Sequence, residues 1–226
     1  MKSIIKKILF TPSIAARVTK LLAKIHHLSY AYLGAFASAA EGGLHPKHRL
    51  MKYHTFFVDN VSKGDTVLDI GCGNGALLRD IAAKTDAPAV GIELSGVNVE
   101  KARKALTDFP KVEIINNDIW KYDGHKQFDI VILSNVLEHF DTRVRLLQHL
   151  SKTFNPGKLL LRVPMFEREW LVPYKKELGI EWRLDNTHYI EYTEAEFRDE
   201  IAAAGLDIKN IIFQWGEMYA VVTPLI

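Results

Sequence analysis

The stretch Val67-Leu68-Asp69-Ile70-Gly71-Cys72-Gly73-Asn74-Gly75 constrains this chain more than any other. A short apolar run, Thr66–Ile70, carries one acid, Asp69, and empties into glycines at three alternate positions. Leu77, Leu78, Ile81 and Ala82 follow at helical spacing. The pattern predicts a buried strand, a turn bare of side chains, and a helix whose amide-rich N-terminus faces that turn. Glycine there lets the backbone take positive φ and lets a ligand lie against the main chain. A dinucleotide fingerprint needs its third glycine three residues after the second. Here the interval is two, and position 76 is Ala. Asp69 beside the turn would repel a pyrophosphate and suits a ligand with a cationic head.

Ala89–Glu93 reads as a second strand, ending in an acid 18 residues after Gly75. An acid so placed can accept hydrogen bonds from both hydroxyls of a ribose. Ser95 is a natural N-cap for a helix through about Leu106. A third strand, Val112–Asn116, leads to Asn117-Asp118-Ile119-Trp120, and a fourth, Phe128–Leu133, runs into Ser134-Asn135-Val136-Leu137-Glu138-His139-Phe140. Asn155-Pro156-Gly157 makes a turn before a fifth strand, Lys158–Val163. Thr193 and Glu196 have capping-box spacing, and Gly205 is placed to end that helix. Leu206–Trp215 and Met218–Thr223 are the final strands. Alternation of this kind predicts an α/β fold: a doubly wound, seven-stranded, mostly parallel sheet with helices on both faces.

The Val-Leu-Asp-x-Gly-x-Gly-x-Gly run, the strand-end Glu93, the Asn117–Trp120 segment and the Leu137-Glu138-His139 tail stand in register over about residues 55–226. Together they resemble the motifs of class I S-adenosylmethionine-dependent methyltransferases. That resemblance implies the Rossmann-like methyltransferase fold and S-adenosylmethionine as cofactor. It assigns cofactor binding to Asp69, Gly71, Cys72, Gly73, Asn74 and Gly75 in the first motif, and to Glu93 and Leu94 at the ribose. It places Asp118 and Ile119 at the adenine, with Trp120 as an apolar wall, and Ser134 and Asn135 at the fourth motif. Read without the resemblance, Asp69 and Glu93 are strand-end acids, Asp118 is a turn acid, and Cys72 is a small buried filler.

The connection between the fifth strand and the capping-box helix, about residues 164–192, is long and rich in aromatic side chains. Family members place acceptor-binding elements there, which implies roles for Trp170, Tyr174, Arg183 and Tyr189. The string Asp185-x-Thr187-His188 resembles small-molecule members. The resemblance also lays the segment containing His45 and His48 over the cofactor or acceptor, although a solvated turn explains those histidines equally well. A hydroxyl acceptor must lose a proton during transfer, which suits a histidine of near-neutral pKa. His139 and His188 are the candidate catalytic bases. The Asn-Pro-Pro-Tyr/Phe signature of enzymes methylating bases or glutamine is absent, as is the Pro-Cys nucleophile of cytosine C5 enzymes. The expectation is O-methylation of a small-molecule, glycan or lipid-linked acceptor, with a likeness to bacterial members of surface-polysaccharide assembly. Two alternatives stay open: a non-catalytic cofactor-binding partner subunit, and an NAD or nucleotide-sugar Rossmann enzyme.

At 226 residues and 48% hydrophobic content the chain can bury a substantial core. Its single cysteine excludes an internal disulfide framework and a cysteine-rich zinc site. No metal is expected, because the leader histidines have no carboxylate cluster beside them. Lys6, Lys7 and Pro12 interrupt the first apolar residues, which argues against a signal peptide and for a cytoplasmic location. Residues 1–54 hold nine Lys/Arg and one acid, so the remainder carries 20 basic residues against 26 acidic ones. This divides the chain into a basic N-terminal helical extension, 1–54, and a methyltransferase domain, 55–226. Ile4, Ile5, Ile8 and Leu9, then a helix from Thr11-Pro12 through Ile25, make a basic amphipathic leader. Such a helix packs on the core or on a second copy in a homodimer, or lies on an anionic membrane through residues 1–25. Nucleic acid is not an expected partner, since no reader motif appears.

Overall fold

A computed structural model describes residues 10–43, 45–124 and 127–225. The leader face formed by Ile4, Ile5, Ile8 and Leu9 lies outside them. The chain divides into two compact units, one of residues up to 51 together with 169–186, the other of 52–168 and 187–226.

The larger unit is built on a seven-stranded sheet: β1 (Val67–Ile70), β2 (Ala89–Glu93), β3 (Val112–Asn116), β4 (Ile130–Ser134), β5 (Lys158–Pro164), β6 (Leu206–Gln214) and β7 (Glu217–Pro224). Its order is β3-β2-β1-β4-β5-β7-β6. The first five strands are mutually parallel, and β7 runs antiparallel to both of its neighbours. This is the doubly wound, mostly parallel sheet that the strand and helix alternation predicted. β1 is buried along its whole length, as a parallel strand covered on both faces must be. In register with it, Val131, Ile132 and Leu133 of β4 are fully buried. The edge strands β3 and β6 are far less covered, each with a single buried residue, Ile114 and Leu206.

The connecting helices follow their sequence signals. In α4 (Ala76–Thr85), Leu77, Leu78, Ile81 and Ala82 all face inward. Ser95 caps α5 (Gly96–Ala105) by accepting a hydrogen bond from the Asn98 N–H. α6 (Arg143–Phe154) buries Leu146, Leu147, Leu150 and Phe154. α8 (Glu194–Ala203) opens with a complete capping box between Thr193 and Glu196, and Gly205 just beyond it takes φ +76°. Before β1, the short helix α3 (His54–Asp59) buries Phe56, Phe57 and Val58.

In the smaller unit, α1 (Pro12–Ala40) is 29 residues long and carries Pro12 in its first turn, with Thr11 at its N-cap. It continues 15 residues past Ile25, where the leader pattern had placed its end. The same unit holds the short helices α2 (Lys47–Met51) and α7 (Leu171–Glu177). Lys175 of α7 is buried, with its Nζ 3.3 Å from His26 Nδ1 of α1. Thus residues 169–186 of the insertion group with the leader, while its ends, 164–168 and 187–192, stay with the sheet.

Candidate active site

The carboxyl ends of β1, β2, β3 and β4 converge on a cleft of about 500 Å³. Its floor is Ile70 and Gly71 from the first strand end and Ile92, Glu93 and Leu94 from the second. Asn117, Asp118, Ile119 and Trp120 form one wall, and Val136, His139 and Phe140 the other. Crevices of this kind, at the strand ends of an open α/β sheet, are where such folds bind ligands.

The glycine turn has the conformation its sequence requires. Gly71, Gly73 and Gly75 all have positive φ, from +57° to +77°. A side chain on Gly71 would press within 2.7 Å of Val136, filling the floor of the cleft. Glu93 is held across this turn: its carboxylate accepts from the Gly73 N–H at 2.9 Å and from the Ser95 N–H at 2.8 Å. Asp69 lies beneath, 2% exposed, and is pushed up to about 8 by burial and by the nearby Glu93. Cys72 is also buried, and burial first, then Asp69 and Glu93, push its thiol upward. A thiol so placed is a packing element, not a nucleophile.

Asp118 ends its carboxylate on the Trp120 N–H at 3.0 Å, which fixes a short 3₁₀ turn at the cleft wall. The Trp120 ring packs edge-on to Phe140 at 6.4 Å, and the Arg145 guanidinium lies over it at 5.4 Å. The fourth strand end turns sharply at Asn135, whose φ is +54°. A 3₁₀ turn over Leu137–His139 then sends Glu138 inward and His139 to the cleft.

His139 and His188, 49 positions apart in the chain, meet here with ring centroids 4.7 Å apart and planes nearly perpendicular. Each Nδ1 is engaged: that of His139 pairs with Thr187 Oγ1 at 2.9 Å, and that of His188 with the Glu191 carboxylate at 3.1 Å. Glu191 is in turn paired with Arg168. Glu138 is completely buried, and neither carboxylate oxygen meets a hydrogen-bond partner among the described residues. Burial pushes it up to about 8.

The residues expected from sequence thus fall into three groups. Gly71, Glu93, Leu94, Asp118, Ile119 and His139 line the cleft. Asp69, Cys72, Gly73, Asn74, Gly75, Ser134 and Asn135 are not among the residues that line it, and His188 stands against His139. His45, His48, Trp170, Tyr174 and Arg183 belong to the smaller unit, and exposed Tyr189 to the larger. There, His45 Nδ1 accepts from the Lys47 N–H at 3.1 Å, Trp170 packs on Tyr174 at 5.9 Å, and Arg183 is held by Glu181. Glu138, Thr187, Val136 and Phe140 were not singled out. The Glu in the Leu-Glu-His tail was visible, but an acid after a strand reads as a solvated turn until the fold buries it.

A family profile described as "Methyltransferase domain" matches residues 44–210. The chain belongs to the class I S-adenosylmethionine-dependent methyltransferases. Its relatives include the ubiquinone biosynthesis O-methyltransferase of Bradyrhizobium sp. (strain ORS 278), 29% identical over 71% of this chain and 64% of that one. The malonyl-[acyl-carrier protein] O-methyltransferase 1 of Ilyobacter polytropus is 26% identical over 45% of this chain and 38% of that one. Among solved structures, the magnesium protoporphyrin IX methyltransferase of Synechocystis PCC 6803, with bound SAH, shares the fold at a TM-score of 0.59 and 20% identity. The alignment covers 79% of this chain and 83% of that one. The chain spans 23% to 64% of the length of the first curated relatives it matches. Membership gives S-adenosylmethionine as the cofactor and sets aside the NAD reading. The cleft fits that cofactor: acids at Asp69 and Glu93 suit a cation, and the side-chain-free turn admits its close approach.

Proposed function

We propose that this methyltransferase methylates a hydroxyl oxygen of a small-molecule, glycan or lipid-linked acceptor. The observation that carries this reading is the Glu138, His139 and His188 cluster beside the cleft. When bound, S-adenosylmethionine supplies a methyl group already activated by its sulfonium. In this reading Glu93 receives the ribose, Asp118 and the Ile119 backbone receive the adenine, and Asp69 acts through its charge on the amino-acid end. The work left to the protein is alignment, exclusion of water and removal of the acceptor's proton. An amine would offer a free lone pair without a basic cluster; a hydroxyl needs one. The two curated relatives described above are O-methyltransferases, which supports oxygen, while a third is named as an N-methyltransferase. Release of S-adenosylhomocysteine with catechol, carboxylate, sugar and amine probes tests it. Turnover with oxygen probes that falls about 10²–10⁴-fold in His139→Ala is expected, while turnover confined to amines would overturn the reading.

We propose further that α1 rests on an anionic membrane surface. Leu21, Leu22, Ile25, Leu28, Leu33 and Phe36 are all more than half exposed, and share one face at helical spacing. Arg17, Lys20 and Lys24 flank that stripe, and residues 10–40 contain no acid. Such a helix lies in the headgroup plane. Among the described residues no helix is long and apolar enough to cross a bilayer. Full-length protein should co-sediment with vesicles rich in phosphatidylglycerol, and Leu22→Glu with Leu33→Glu should stay in the supernatant. Equal recovery of the two forms, or concentration-dependent dimerisation without vesicle binding, would overturn the assignment.

A further inference from the structure

We infer that Glu138, His139 and His188 form a divalent-metal site at the edge of the cleft. One ligand atom from each residue lies within 4.8 Å of the other two. A metal at about 2.1 Å from its ligands separates opposite donors by at most about 4.2 Å. Small rotations of two imidazoles and a carboxylate close that difference.

Three features distinguish this cluster from a chance grouping of polar residues. Glu138 is fully buried, yet neither of its oxygens has a hydrogen-bond partner among the described residues. Burying such a group without a partner is costly, and a cation removes the cost. Both imidazoles are already oriented through Nδ1, by Thr187 Oγ1 and by the Glu191 carboxylate, and in the tautomers whose Nδ1–H donates to these oxygens Nε2 is the ligand atom. Outer partners of this kind fix the tautomer and orientation of metal-binding histidines. Arg168 braces the outer carboxylate in the same way, since it pairs with Glu191 and donates to the Met165 carbonyl oxygen at 2.8 Å.

Two imidazoles and one carboxylate select a first-row transition ion such as Zn²⁺, Mn²⁺, Fe²⁺ or Co²⁺ over Mg²⁺ or Ca²⁺. Three protein ligands leave coordination positions open, as in catalytic sites. His139 also lines the cleft, so those positions are accessible to a ligand bound there. The role of the ion rests on the O-methyltransferase reading. It would bind the acceptor hydroxyl oxygen and lower its pKa, the released proton passing to water. The two histidines then act as ligands and not as the bases themselves.

Co²⁺ is the probe. Full-length protein is stripped with a chelator, titrated with Co²⁺ and followed by visible absorption, with S-adenosylmethionine binding measured on the same samples by calorimetry. Expected are saturable visible bands that Zn²⁺ displaces, absent in Glu138→Gln and His188→Ala. Thr187→Val, which removes an outer partner, should weaken Co²⁺ about 10–100-fold. Cofactor affinity should be unchanged in Glu138→Gln, separating loss of metal from loss of fold. Cofactor-competent wild-type protein that gives no bands, or bands identical in Glu138→Gln, would overturn the site. Metal binding combined with transfer to amines alone would leave the site standing and remove only the oxygen reading.

Discussion

Glu93, at the end of β2, accepts a hydrogen bond from the backbone N–H of Gly73 at 2.9 Å, tying one strand end to the glycine turn of another. A second bond, from the Ser95 N–H, uses the other carboxylate oxygen. The acid is therefore positioned before any ligand arrives, and its remaining lone pairs face the cleft it lines.

Glu93→Ala should lose both staples and the ribose acceptor. Hydrogen bonds to charged groups contribute about 1.5–3 kcal/mol each, so a cofactor affinity at least about 10-fold weaker is expected, together with a lower unfolding midpoint. Glu93→Gln keeps an acceptor oxygen and should fall between. Calorimetry on the three proteins checks this; equal affinity in wild type and Glu93→Ala would remove Glu93 from the cofactor site.

Asp69 is raised to about 8 by burial and by Glu93. A group bound more tightly to its proton in the folded state stabilises the fold fully below the ordinary carboxylate pKa. That contribution is lost as pH rises through about 8. The ligand-free protein should accordingly lose stability between about pH 4 and pH 8, and Asp69→Asn should lose less. A cationic ligand favours the ionised acid, so cofactor binding near neutral pH should release protons in wild type and fewer in Asp69→Asn. Calorimetry in buffers of different ionisation enthalpy measures that difference.

Gly91 sits in the middle of β2, where an added Cβ would lie 2.7 Å from Cys72 Sγ and 2.8 Å from both Ile114 and Leu78. Gly91→Ala should destabilise by about 1–3 kcal/mol through overpacking. Cys72→Ala should recover part of that loss by vacating one of the three contacts. Urea unfolding of the single and double variants tests the coupling; strict additivity would show that Cys72 is not what the methyl meets.

The capping box offers a cleaner local measurement. Thr193 accepts from the Glu196 N–H, and Glu196 accepts from the Thr193 N–H at 2.9 Å. Thr193→Ala should cost about 1 kcal/mol, with cofactor affinity unchanged because α8 lies away from the cleft residues. A variant as stable as wild type would mean the box contributes nothing net.

The parallel sheet was legible because its strands are short, mostly apolar runs, the first closed by Gly71 and the second by Glu93. β2 and β3 have the limits their sequences suggested, Ala89–Glu93 and Val112–Asn116. Helix ends marked by Ser95 and Thr193 were legible for the same local reason: their side chains cap backbone N–H groups within three residues. The full length of α1 was not, since Ser29, Tyr30 and Gly34 break the simple basic and apolar alternation. Nor could the sequence reveal Glu138, because the elements that pack around its turn, β5 and the segment containing Tyr189, lie tens of residues further along the chain. His139 and His188 were recognisable one at a time; that their rings touch is a fact of the fold alone.

β7 also sets a rule about time. It lies between β5 and β6, with Met218, Tyr219 and Ala220 fully buried. Its Glu217 is the partner of Arg162 of β5, joined at 2.7 and 2.8 Å, and both are almost wholly buried. Until residues 217–224 have been synthesised, Arg162 is a charge awaiting its counter-ion and β6 has no strand to pair with. A nascent chain can assemble the β3-β2-β1-β4 half of the sheet early, but the other half must wait for its last strand to slide between two strands already made.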